Sequence, residues 1–249
     1  MDKKTLDAYD KQAETLSAQY NSLEPKSQFQ LMNVFFIKEG RTLDVGCGSG
    51  RDLRYLAREG FKALEGCDAS AAMLESAKKS KDGGRINFYR DSLPSLSDTD
   101  SESYDNVICC GAIMHLPPHE LVEAAIHLLR ILKDQGVLIL SFRGPREESG
   151  GEHREQDGRL FTPIHPGQFG LLFETLGARV LHRVAEATEA GTKSWHSLVV
   201  RKRAPEPKWF AKSSIHHRRR QEDGYLQART HPLPSGSLSK PSAKRSLER

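Results

Sequence analysis

No run of about 18 apolar residues occurs in the 249-residue chain, so nothing in it reads as a membrane-spanning helix. Its first residues, MDKKTLDAYDKQ, lack the apolar core of a secretion signal, which points to a cytoplasmic location. Cysteine is sparse: four residues, at positions 47, 67, 109 and 110, without CxxC spacing. That excludes a disulfide-stapled scaffold and fits reduced thiols in a cytosol. Apolar residues make up only 37% of the chain and mean hydropathy is −0.58, but the shortage is local. Residues 201–249 hold 13 Lys/Arg against 4 Asp/Glu and few apolar side chains, whereas the preceding 200 hold 24 against 29. The expectation is a mildly acidic folded domain over 1–202 and a basic, disordered tail over 203–249.

Within the domain, helical and strand patterns alternate. Leu6, Tyr9, Ala13, Leu16 and Tyr20 form one apolar stripe and predict a single long first helix. Phe29, Met32 and Phe36 mark a second helix after Pro25. Apolar runs at 42–46, 62–67, 86–90, 105–110 and 137–142 then read as strands. Helical periods separate them at 51–60, after a Ser70 N-cap, and in HELVEAAIHLLRIL, which Gly136 is expected to close. Residues 143–160 are polar and Gly-containing, the composition of a lid or a disordered loop. A helix at 167–177 precedes two strands, ARVLHRV and WHSLVVRKR, with no helix between them, which predicts an antiparallel hairpin. The pattern implies an α/β, Rossmann-like three-layer sandwich.

The sequence DVGCGSG (44–50) sets Gly46, Gly48 and Gly50 between a strand and a helix, where backbone can approach a ligand closely. Asp68 ends the next strand, where a carboxylate can accept both hydroxyls of a ribose. A nicotinamide dehydrogenase is a competing reading, but it requires GxGxxG, and Arg51 stands where the third glycine belongs. Asp44 would also sit poorly beside a pyrophosphate. S-adenosylmethionine (SAM) carries no phosphate and has an α-ammonium that an aspartate favours, so Asp44 points to SAM.

The series LDVGCGSGRDLRYLAREG, EGCDASAAML, FYRDSLPSL and YDNVICCGAIMHLP resembles the ordered motifs of class I SAM-dependent methyltransferases over residues 1 to about 202. The resemblance implies a seven-stranded, mostly parallel sheet with an antiparallel last strand. It implies that Asp44, Gly46, Cys47, Gly48 and Gly50 cradle the methionine end, and that Asp68, beside Ala69, holds the ribose. Asp91, Ser92 and Leu93 would meet the adenine, and Cys110 with Gly111 would line the far side of the sulfonium. Related enzymes use N-terminal helices as a lid, which gives residues 1–40 that role and lets Tyr9 and Tyr20 close over the cofactor; their apolar stripe fits core packing equally well.

Methyl transfer is an in-line displacement that needs alignment and exclusion of water more than dedicated catalytic groups. His115 is the candidate general base, with an acid limb expected at a pKa of about 6 to 7; capping or packing under the cofactor is the plainer reading. His119 follows it, but Pro117 and Pro118 break the helical spacing of a metal pair, and no metal is assigned. Arg159, Phe161, Thr162, Trp195 and His196 are candidates to shape an acceptor pocket. The motifs of amino- and C5-methylating DNA enzymes are missing after the fourth strand, so a small-molecule acceptor is expected. A SAM-binding regulator without turnover, and an RNA or protein methyltransferase whose basic tail contacts phosphates, are the alternatives. Truncation after Lys202 is expected to leave melting temperature and SAM affinity unchanged; a large drop in either would show that the tail packs on the domain.

Overall fold

Seven strands form from the apolar runs: β1 (Thr42–Val45), β2 (Leu64–Asp68), β3 (Asn87–Arg90), β4 (Tyr104–Cys110), β5 (Leu132–Arg143), β6 (Ala178–Ala187) and β7 (Ser194–Lys202). The computed structural model describes residues 1–80, 83–145, 153–187 and 194–204. Met1–Ala204 is one unit by its internal contacts. The expected tail, from residue 205 on, and residues 146–152 of the expected lid loop lie outside the described residues. Among those described, no helix is long and apolar enough to cross a membrane.

The strands lie in one sheet in the order β3-β2-β1-β4-β5-β7-β6. Strands β1 to β5 pair in parallel, β7 pairs antiparallel with β6, as the sequence pattern of the last two strands predicts, and β7 is antiparallel to β5 as well. Helices α1 (Lys3–Lys11), α2 (Ala13–Asn21), α3 (Lys26–Phe35), α4 (Arg51–Arg58), α5 (Ala71–Lys79), α6 (Leu121–Ile131) and α7 (Pro166–Thr175) complete the fold. Alternation along β5 divides the core. Leu138, Leu140 and Phe142 pack with Leu128 of α6 and Phe173 of α7. Val137 and Ile139 pack with Leu53 and Leu56 of α4 and Met32 of α3. Each such side chain, taken fully out of water, contributes roughly 1.5–3 kcal/mol.

Two boundaries differ from the expectation. The long first helix breaks at Gln12 (φ −114°, ψ 17°), giving α1 and α2. Both halves pack on α5, and Asp10 near the break accepts from Ser70 Oγ at 2.6 Å, so the bend follows the surface they cover. Gly136 does not close α6. The helix ends at Ile131, because Leu132 is already extended and pairs with Tyr104; Gly136 lies within β5 beside Gln135, whose φ is +65°. The expected N-cap is present: Ser70 Oγ accepts from the Met73 amide at 3.1 Å.

After β3 the chain returns to the other side of β1, so the strand order reverses between β1 and β4. The loops after these two strands leave in opposite directions and open a crevice at the carboxyl edge of the sheet. Asn106 of β4, fully buried, holds the approach to β1: it donates to Ile37 O (2.8 Å) and Thr42 Oγ1 (2.9 Å) and accepts from Ile37 N (3.0 Å). Asn106→Ala leaves these buried groups unpaired and is expected to lower the urea-unfolding free energy by about 2–4 kcal/mol. A loss under about 0.5 kcal/mol, the range of ordinary surface substitutions, would contradict that role.

Candidate active site

The loop after β1 is shaped by its contact with the loop after β4. Gly46 has φ +73°, and a Cβ there would lie 2.5 Å from Ala112 Cβ, so a side chain is excluded by both conformation and space. The Gly48 amide donates to Asp68 Oδ2, and the Ser70 amide donates to Oδ1, each at 2.8 Å. Asp68 thereby pins the glycine loop to the start of α5, while each carboxylate oxygen keeps a further lone pair.

Acidic side chains gather beneath this loop. Asp52 accepts from Gln28 Nε2 (2.8 Å) and Arg51 Nε (2.6 Å). Asp44, 3% exposed, has no hydrogen-bond partner among the described residues. Burial, with the charges of Asp52 and Asp68, holds the Asp44 carboxyl well above the usual carboxylate range, and Arg51 only partly offsets this. Burial also pushes Asp68 up, against the two amides that favour its charged form. Three carboxylates with one guanidinium among them make a place for a cation.

These groups face a cavity of about 480 Å³, within the range of small-ligand sites. Of the residues expected to act, Asp44, Gly46, Cys47, Gly48, Asp68, Cys110 and His115 line it. Gly50, Ala69, Asp91, Ser92 and Leu93 do not, for local reasons. A Cβ at Gly50 would meet Phe88 at 2.9 Å, and Leu93 and Ala69 are buried. Asp91 accepts from Ser92 N (2.7 Å), Asp98 N (3.1 Å) and Thr99 Oγ1 (2.6 Å), so its carboxylate organises its own loop. Cys47 and Cys110 are free thiols that burial holds protonated, which makes them walls rather than nucleophiles. Gln28, Asp52, Ser141 and Arg143 line the cavity without having been singled out. Arg143 was legible in principle, since it ends a strand at the carboxyl edge. Gln28 carries no local signal, because its partner lies 24 residues away.

Another part of the lining is aromatic and basic. His115 is 2% exposed, with Nδ1 2.6 Å from Leu160 O and Nε2 3.0 Å from Tyr9 Oη. A carbonyl only accepts, so Nδ1 carries the proton and Nε2 accepts from Tyr9. Burial lowers the His115 pKa to about 4, with Arg159 and Arg143 adding to the effect. The acid limb expected at 6 to 7 is corrected accordingly. Phe161 meets the His115 ring edge-on at 4.7 Å, and Arg159 Nη1 donates to Tyr20 Oη at 3.0 Å. Tyr9, Tyr20, Arg159, Phe161 and Trp195 all line the cavity; Thr162 instead donates to Leu116 O, and His196 packs near Phe142.

Residues 42–136 match the protein family described as Methyltransferase domain. The ubiquinone biosynthesis O-methyltransferase of Serratia proteamaculans (strain 568) is 32% identical over 91 residues, 35% of this chain and 37% of that one. The chain thus spans well under half the length of that relative. Among solved structures, a 1,6-didemethyltoxoflavin-N1-methyltransferase of Burkholderia thailandensis, bound to its substrate and S-adenosylhomocysteine (SAH), has a TM-score of 0.64 at 14% identity, covering 81% of this chain and 88% of its own. The [4+2]-cyclase SpnF has the same TM-score at 16% identity, covering 80% and 95%. Residues 42–136 thus match a methyltransferase domain, and the described sheet and helices share their fold with these solved structures.

A histidine held neutral has a consequence for stability. With a native pKa of about 4 against 6.5 unfolded, the unfolded chain takes up the proton first as pH falls. The contribution of His115 is therefore fully present above 6.5 and lost towards 4, a change of about 3 kcal/mol across that window. His115→Gln is expected to flatten unfolding free energy against pH between these limits. Parallel profiles for parent and variant would show that His115 titrates normally.

Proposed function

We propose that residues 1–204 bind SAM in this cavity and transfer its methyl group to a small-molecule acceptor. The observation that carries the reading is the buried carboxylate of Asp44, without a hydrogen-bond partner among the described residues, beside Asp68 under a glycine loop at the point where the strand order reverses. The bound cofactor supplies a methyl group on a sulfonium, with a neutral thioether as leaving group. Asp44 and the backbone of Gly46, Cys47 and Gly48 hold the cationic amino-acid end. The remaining lone pairs of Asp68 receive the ribose hydroxyls. Gly50, Ala69, Asp91, Ser92 and Leu93 shape the backbone at the adenine end, and Cys110 with Gly111 walls the opposite side.

Helices α1 and α2 act as a cover, tied down by Asp2 accepting two bonds from Arg154 (2.8 and 2.9 Å) and by Thr5 Oγ1 accepting from Leu160 N at 2.9 Å. Tyr9 and Phe161 exclude water from the reacting centre. His115 first of all positions Tyr9. Its Nε2 is the one atom on the ring that can take a proton, and an acceptor hydroxyl reaches it by displacing the Tyr9 hydroxyl. Four free cysteines suit a cytoplasmic protein.

Incubation with methyl-labelled SAM, a small-molecule extract and separate RNA and protein fractions tests the acceptor class. Label is expected among the small molecules; label confined to RNA or protein would overturn that class, and SAH binding with no label anywhere would favour a regulator. Asp68→Ala is expected to weaken SAM binding by well over tenfold, because two charge-assisted hydrogen bonds of roughly 1.5–3 kcal/mol each are lost. Calorimetry showing NADH binding but neither SAM nor SAH binding would overturn the cofactor.

A further inference from the structure

We propose that the basic part of the cavity is an anion subsite, in which Arg143 and Arg159, both set over the ring of Phe161, select a small planar acceptor carrying a carboxylate. This deepens the methyltransferase reading and rests on it. The topology separates charge across the crevice. Asp44 is next to last in β1 and Asp68 ends β2, whereas Arg143 ends β5, on the far side of β4.

The two arginines are placed to bind rather than to be solvated. Each side chain is 16% exposed. The Arg143 guanidinium lies 3.8 Å from the centroid of Phe161 and 5.9 Å from that of Trp195; the Arg159 guanidinium lies 5.5 Å from Phe161. Their salt bridges use only part of each fork. Glu155 takes Arg143 Nη1 at 2.8 Å, and Asp157 takes Arg159 Nε at 2.7 Å. Arg143 Nε is buried and has no hydrogen-bond partner among the described residues. A guanidinium presents five N–H donors in a fixed plane, and an unmet buried donor is costly.

A neutral acceptor brings no charge to answer the two guanidinium ions, and a cationic one adds repulsion. A carboxylate accepts from guanidinium nitrogens in the fork geometry, while a flat ring bearing it packs on Phe161 and Trp195. Neutral His115 supplies no competing charge. Glu24 and Glu186 also line the cavity, but both are exposed, where water screens them.

The experiment titrates benzoate, 4-hydroxybenzoate and cinnamate, each against its primary amide, into the full chain saturated with SAH. At least one acid is expected to bind tenfold or more tighter than its amide. Arg143→Gln should remove that preference, and Arg143→Lys, which keeps the charge without the fork, should restore part of it, with SAH affinity within twofold of the parent in both. Equal binding of acids and amides, or no binding by any, overturns the proposal while SAH binding leaves the cofactor reading intact. If Arg143→Gln weakens SAH as much as the acids, the arginine serves the cofactor's own carboxylate and the proposal fails. If SAH itself does not bind the parent chain, the cofactor reading fails and takes the proposal with it.

Discussion

A carboxylate buried without a hydrogen-bond partner is among the costlier things a fold can contain, and Asp44, which has none among the described residues, lies next to the last residue of β1, where the strand order reverses. Burial alone would neutralise Asp44 by proton uptake. Asp52 and Asp68 push in the same direction, and the guanidinium of Arg51 is spent on Asp52. The local structure is built to keep these acids close. The loop that separates them turns at a glycine that tolerates no Cβ, and Asp68 fixes that loop to α5 through two amides. Such a cluster is strained when empty of positive charge and relaxed by a cation. A ligand with an α-ammonium and a sulfonium supplies that charge.

The other half of the crevice is organised around a neutral histidine. His115 joins three segments distant in sequence: α1 through Tyr9, the loop after β4 on which it sits, and the backbone at Leu160. Fixing Nδ1 on a carbonyl determines the tautomer, and the tautomer determines that Nε2 accepts. The placement of Tyr9 on α1 and of the aromatic wall at Phe161 is therefore set by one ring. Burial, helped by the two arginines beside it, keeps that ring unprotonated, and the arginines give this end of the crevice a charge opposite to that of the acidic end.

Much of this fold is legible in the sequence because it follows from periodicity: short apolar runs alternating with helical stripes predict the parallel sheet, and two strands without a helix between them predict the hairpin of β6 and β7. Asp44 and Asp68 are legible for a related reason, since a residue's distance from a strand end places it on the crevice. What escapes is tertiary. Gln12 interrupts a stripe that shows no break, because the bend follows the surface of α5. Leu132 leaves α6 before Gly136 because its pairing with Tyr104 outweighs the terminator's local preference. The carbonyl that fixes His115 lies 45 residues away, so neither its tautomer nor its lowered pKa could be read locally. Asp91 accepts from Ser92, Asp98 and Thr99, contacts that depend on how its loop folds back and that no local pattern announces.

The claim on which the account turns is that the buried charge of Asp44 answers the α-ammonium of the cofactor. Calorimetric titration of SAH, set against the same molecule without its α-amino group, reads that interaction in both the parent chain and Asp44→Asn, as a double cycle. The account predicts that the deaminated ligand binds the parent at least tenfold more weakly than SAH, and that the difference largely closes in the variant. Equal affinities of the two ligands for the parent, or a difference that survives unchanged in Asp44→Asn, would contradict it.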